Sequence, residues 1–219
     1  MSNDLRLKAG ALALVTAPGL MLAGHLTQLT PEKHDTASEL AAVAEAPGRA
    51  DVALVIGFVG LLCYIPAFLA LAAPIRDRRS GLIGLMMSIS GLLALVALMG
   101  SGPVTNAMVA ASADRSEMIA LTDRYESSPV VTFWVILLLV GWTLGPLVIG
   151  IGLWRAGWSI GIPLALFAGV ALTVADAGRW PLAAAFALTW LGMALAAKGL
   201  WSRSTSRTHV HKAAVESSA

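Results

Sequence analysis

The residues of this chain that could do chemistry are few, and they gather on one flank of its apolar segments. His25 lies near the end of the first apolar run with Thr27 and Gln28 beside it, and Asp51 begins the second run. Asn106, Tyr125 and Glu126 stand between the third and fourth, and Asp176 and Arg179 bracket the short connection between the fifth and sixth. Charge is costly in hydrocarbon, so ionisable groups within or beside such runs are the first candidates for function. Brought together, His25, Gln28, Asp51, Asn106, Glu126, Asp176 and Arg179 would line an outward-facing polar pocket in which the His25 imidazole accepts a proton or senses pH. Each also has a plainer use, which is the preferred one. Asp176 can pair with Arg179 across the turn, Asp51 suits the positive end of a helix, and His25 can reach a backbone carbonyl or the headgroups.

Other chemistry finds little support. The chain has no phosphate-binding glycine loop with its lysine, no His-Glu-x-x-His, no Cys-x-x-Cys and no Gly-x-Ser-x-Gly turn. No lysine lies deep in an apolar run to hold a retinal, and no histidine pair is placed to hold a haem. Acidic pairs do not recur as a proton relay requires. No cofactor is expected. The single cysteine, Cys63, sits inside an apolar run with no second thiol to pair with and reads as a small buried apolar residue. His209 and His211 near the C-terminus resemble a metal pair, but two ligands in a polar tail make a poor site. The net charge is only +2, and the basic residues are scattered, so no nucleic-acid surface is expected.

The elements that must position these residues are apolar. The chain is 57% hydrophobic and 13% charged, against about 25% charged for a soluble domain. Six stretches are long enough to cross a bilayer: residues 7–29, 52–73, 81–100, 130–154, 158–175 and 181–200, the fifth near the lower limit. In lipid a run of this length satisfies its backbone only as a helix. The expected fold is therefore all-α: a polytopic bundle of six transmembrane helices over residues 1–202, followed by a disordered cytoplasmic tail at 203–219. Arg6 and Lys8 before the first run also suit a secretory signal, but the run continues past Gly24 to Leu29, which favours a retained helix.

Basic residues orient the bundle. With the N-terminus inside, Arg6, Lys8, Arg76, Arg78, Arg79, Arg155, Lys198, Arg203, Arg207 and Lys212 are cytoplasmic, while Lys33, Arg49, Arg115, Arg124 and Arg179 are outside. That imbalance predicts both termini in the cytoplasm of a multi-pass plasma-membrane protein. The two long outer connections each predict a short helix. One is ELAAVAEA, capped by Thr36 or Ser38 and stopped by Pro47 and Gly48; the other starts at Asp114 or Ser116 and stops at Pro129.

Helices in lipid associate through small residues and a few polar contacts. Gly157, Gly161, Ala165, Gly169 and Thr173 recur every four residues along the fifth span, Gly141 and Gly145 mark the fourth, and Ser80, Gly84 and Ser88 the third. The fourth and fifth spans are expected to pack through these faces, which could also join the chain to a copy of itself or to another membrane protein. Pro18, Pro66, Pro146 and Pro163 lie within spans and favour kinks. Trp134, Trp154, Trp158, Trp180 and Trp201 fall near span ends as an interfacial belt, with Trp142 and Trp190 deeper.

The run APGRADVALVIGFVGLLCYIPAFLAL, the basic turn after it, and SSPVVTFWVILLLVGWTLGPLVIGIGLWRAG, ending at Gly152 to Gly157, resemble a broad group of uncharacterised integral membrane proteins common in actinobacteria. The resemblance spans most of residues 1–200 and implies a six-span layout; it brings no activity and no site. Three functions stay open. The first is a non-enzymatic accessory protein, or a binder of a lipid or other apolar molecule. The second is a transporter or permease subunit for a small or amphipathic solute. The third is a cofactor-free acid–base enzyme such as a cyclase, needing Asp176 or Glu126 in an enclosed cavity.

Overall fold

A computed structural model describes residues 3–28, 35–111, 114–174 and 179–216. All regular structure among them is helical. In chain order the helices are α1 (Asn3–Thr27), α2 (Thr36–Glu45), α3 (Pro47–Ala72), α4 (Arg79–Met99), α5 (Ser101–Ala110), α6 (Arg115–Glu126), α7 (Pro129–Leu138), α8 (Gly145–Arg155), α9 (Gly161–Val174) and α10 (Arg179–Glu216). A 3-10 turn, Ala73–Ile75, extends α3, and a π-helical segment, Leu139–Leu144, fuses α7 to α8.

Five helical stretches are long and apolar enough to cross a membrane: Leu7–Thr27, Pro47–Ile75, Arg79–Ala110, Pro129–Arg155 and Pro181–Arg203. They mark the chain as a membrane protein. The fifth predicted span is shorter than expected. Its described helix, α9, has 14 residues, about 21 Å at 1.5 Å per residue, against a hydrocarbon core of roughly 30 Å.

The main helices close into a ring. α1 packs between α3 and α10, α10 against α9, α9 against α8, the α7–α8 helix along α4, and α4 against α3. Leu14, Ala17, Tyr64, Phe68, Leu71, Ile149, Leu153, Ile162 and Met193 fill the interior and are almost wholly buried. Leu62, Leu69, Met86, Leu93, Leu164 and Phe167 point outward and are exposed, the inside-out surface that lipid permits.

Small residues set the closest approach, though not between the expected helices. Gly141 and Gly145 of the fourth span lie on α4. A Cβ on Gly145 would stand 2.5 Å from the Ser88 nitrogen, and one on Gly84 would stand 2.9 Å from the Gly145 carbonyl. The α9 face turns instead to α10, where a Cβ on Gly169 would meet the Ala185 carbonyl at 2.9 Å. α8 touches α9 through a different glycine, Gly150, against Pro163. The four-residue spacing identifies faces correctly but carries no information about which face meets which.

Gly157 belongs to no helix. Its φ is +83°, and it closes α8 with two bonds: its own N–H donates to Trp154 O at 2.9 Å and the Trp158 N–H to Leu153 O at 3.1 Å. This is the Schellman arrangement, which favours glycine at the left-handed position. α9 therefore begins at Gly161. Pro163 then falls in its first turn, where an N–H has no intrahelical acceptor to lose, so it does not interrupt the helix as expected.

Pro47 starts α3 at its first position, five residues before the predicted span, because a proline there gives up only an N–H that would be unpaired. At the other end of the chain, where a disordered tail is expected from residue 203, α10 runs on to Glu216. No proline or glycine interrupts residues 201–216, so the helix nucleated by the apolar part propagates.

Candidate functional site

The described members of the predicted polar set fall in three places. Asp51, in the first turns of α3, accepts a hydrogen bond from the Asn106 side-chain amide of α5 at 2.7 Å. This pair sits at the surface, where α5 continues α4 beyond the expected span end. His25 is half-buried and packs its ring on Phe186 of α10, with centroids 5.5 Å apart. Gln28 is exposed just beyond α1 and extends its bonding through an N–H donated to Gly24 O at 2.9 Å. The carbonyl of Thr27 beside it accepts from Arg49 Nε at 2.7 Å, a cation at the negative end of α1.

Glu126 lies elsewhere, on an open groove of about 450 Å³ between α2 and α6 that it shares with Asp35, Thr36, Glu39 and Asp123. The groove is held by two bonds: the Thr36 hydroxyl donates to Asp123 Oδ1 at 2.7 Å, and Arg115 Nη2 to Ala37 O at 2.7 Å. Asp176 and the side chain of Arg179 lie outside the described residues. Of the five that are described, Asp51 and Asn106 meet, His25 packs on Phe186, and Glu126 borders the α2–α6 groove.

The caps of α2 and α6 were partly legible. Asp35, not Thr36 or Ser38, caps α2 and accepts from the Ser38 N–H at 2.7 Å. Asp114 caps α6 as expected, accepting from the N–H groups of Ser116 at 2.8 Å and Glu117 at 3.3 Å and from the Ser116 hydroxyl. The Ser116 hydroxyl first, and then the two N–H groups, hold the Asp114 carboxyl below the usual carboxylate range.

A second arrangement lies at mid-span and was not anticipated. Tyr64, Phe68 and Trp142 form an aromatic cluster, with centroids 5.1 Å apart for Tyr64 and Phe68 and 4.6 Å for Tyr64 and Trp142. They border a cavity of about 20 Å³ at the centre of the ring, completed by Thr143, Pro146, Leu166, Val170, Thr189 and Met193. The Tyr64 hydroxyl is buried without a hydrogen-bond partner. Both threonines donate to their own helix, Thr143 to Leu139 O and Thr189 to Ala185 O, the latter at 2.9 Å. The π segment follows from Pro146, which has no N–H to return to the carbonyl four residues earlier and so favours a wider turn just before it. A signal was present: Tyr64 interrupts an apolar run and Thr143 and Thr189 lie mid-span. A search confined to charged groups passes over them.

Among the described residues no three His, Cys, Asp or Glu side chains come close enough to hold a metal ion. No protein-family model matches the chain, and no curated protein or solved structure matches it.

Proposed function

We propose that this chain is a non-enzymatic, six-span protein of the plasma membrane, acting as an accessory partner of another membrane component or as a binder of a lipid or other apolar molecule. Both termini are cytoplasmic in this reading, and the bundle is grouped with the actinobacterial membrane proteins that most of residues 1–200 resemble. The observation that carries it is the placement of the polar groups: the described carboxylates lie at the surface, Asp51 beside Asn106 and Asp35, Glu39, Asp123 and Glu126 along the open α2–α6 groove, while the buried interior is mostly apolar and nearly filled. The closed ring favours six crossings, because α9 takes the sixth place between α8 and α10. The burial of Leu14 and Ala17 between α3 and α10 favours a retained first helix.

The small-residue faces are consumed within the chain, so a partner or lipid has to use the apolar side chains that point outward, such as Leu62 of α3 and Leu93 of α4. Complementation of a deletion strain tests the reading. A triple variant His25→Ala, Asp51→Asn, Glu126→Gln is expected to restore the wild-type phenotype fully, whereas outward-facing Leu62→Arg and Leu93→Arg, with wild-type membrane levels, are expected to lose it. Failure of the triple variant at normal abundance contradicts the reading and favours proton-coupled transport or acid–base catalysis.

A further inference from the structure

We propose that the cavity at the centre of the ring is a hydration site: one water molecule bound by the Tyr64 hydroxyl and by Thr143 and Thr189, joining three spans at mid-membrane. The size fits a single molecule, since about 20 Å³ exceeds the roughly 10–15 Å³ that one water needs and is far below what an organic ligand needs. The polarity fits as well. Tyr64 is 1% exposed and its hydroxyl has a proton with no acceptor in the protein. A buried donor in that condition is costly, and more so in a bundle surrounded by hydrocarbon.

The two threonines supply the complement. Each gives its proton to a carbonyl of its own helix and keeps oxygen lone pairs that can accept. One donor and two acceptors are what a water molecule satisfies in full, accepting from Tyr64 and donating to Thr143 and Thr189. Buried waters typically make about three such bonds. Tyr64 is on α3, Thr143 in the π segment between α7 and α8, and Thr189 on α10, so the water would link three elements of the ring.

X-ray radiolytic labelling, in which bound water is the local source of hydroxyl radical, tests this on the whole protein in detergent or nanodiscs. Met193, 1% exposed and on the cavity wall, is expected to label in the wild type and to lose that labelling in Tyr64→Phe. The same substitution is expected to lower Tm by about 2–4 °C, the loss of one net hydrogen bond for a chain of this size. If Tyr64→Phe does not fold, the isosteric Thr189→Val is read in the same way. Absent labelling of Met193 in the wild type, labelling unchanged by Tyr64→Phe, or a variant as stable as the wild type overturns the proposal. An organic molecule that co-purifies with the wild type and is lost from Tyr64→Phe also overturns it, because the acceptor for Tyr64 is then a ligand oxygen and not water.

Discussion

Asn106 donates its side-chain amide to the Asp51 carboxylate at 2.7 Å, joining the start of α3 to α5, 55 residues later. The contact makes Asp51 a structural acceptor that fixes the outward extension of α4 and α5. Both partners lie toward the surface, so the net contribution is about 1 kcal/mol. Asn106→Ala is expected to lower stability by about that amount and to speed amide hydrogen exchange in α5, while Asp51→Asn, which keeps a carbonyl acceptor, changes neither. Exchange unaffected by Asn106→Ala would show the pair to be incidental.

The close packing of α8 on α4 predicts a sharp contrast between two glycines. A Cβ on Gly145 would lie 2.5 Å from Ser88 N, backbone that cannot give way, whereas one on Gly48 would meet nothing within 4 Å. Gly145→Val is expected to destabilise the fold by about 3 kcal/mol or prevent accumulation, and Gly48→Ala, in the first turn of α3, to stabilise it by about 0.5–1 kcal/mol. Thermal unfolding in detergent compares them directly.

Asp114 predicts how α6 responds to acid. Its carboxyl is held below the usual range by the Ser116 hydroxyl and the N–H groups of α6, so the folded pKa lies under the unfolded one. The cap contribution is therefore complete above the unfolded carboxylate pKa and is lost as pH falls through the lower folded value. Hydrogen exchange in α6 is expected to accelerate only at strongly acid pH. In Asp114→Ala it should be fast at every pH, as for an uncapped helix; acid sensitivity that survives this substitution points to another group.

Arg203 places its guanidinium carbon 4.2 Å from the Trp158 ring centroid. Trp158 is buried against Gly199 as well, so the stack pins the α8–α9 turn to α10. Arg203→Ala is expected to cost about 0.5–1 kcal/mol and Arg203→Lys less, read as the change in Trp fluorescence midpoint on unfolding.

The helical class and most span positions were legible because composition and run length report the solvent a segment needs, whatever its neighbours. So was the Asp114 cap, a local backbone demand, whereas Pro129, expected as the stop of that helix, instead starts α7. Partner choice was not legible. Gly141 and Gly145 advertise a close contact, but whether they meet α4 or α9 depends on helix rotation and ring order, which four-residue spacing does not encode. For the same reason spacing does not say which polar residues meet: Glu126 borders a groove with α2, and His25 packs on Phe186 of α10. Tyr64 was hidden by its chemistry: a neutral hydroxyl stands out only once burial and the lack of an acceptor are both known.

Everything about orientation and partner access turns on whether the short helix α9 completes a crossing. Single cysteines introduced at Ser2, Ser38, Ser116 and Ser218 in a Cys63→Ser background, probed with a membrane-impermeant maleimide, decide it. Labelling of Ser38→Cys and Ser116→Cys in intact cells, with Ser2→Cys and Ser218→Cys labelled only after permeabilisation, is the expected pattern. Labelling of Ser218→Cys but not Ser2→Cys in intact cells would mean that the chain crosses an odd number of times, and the six-span account would be wrong.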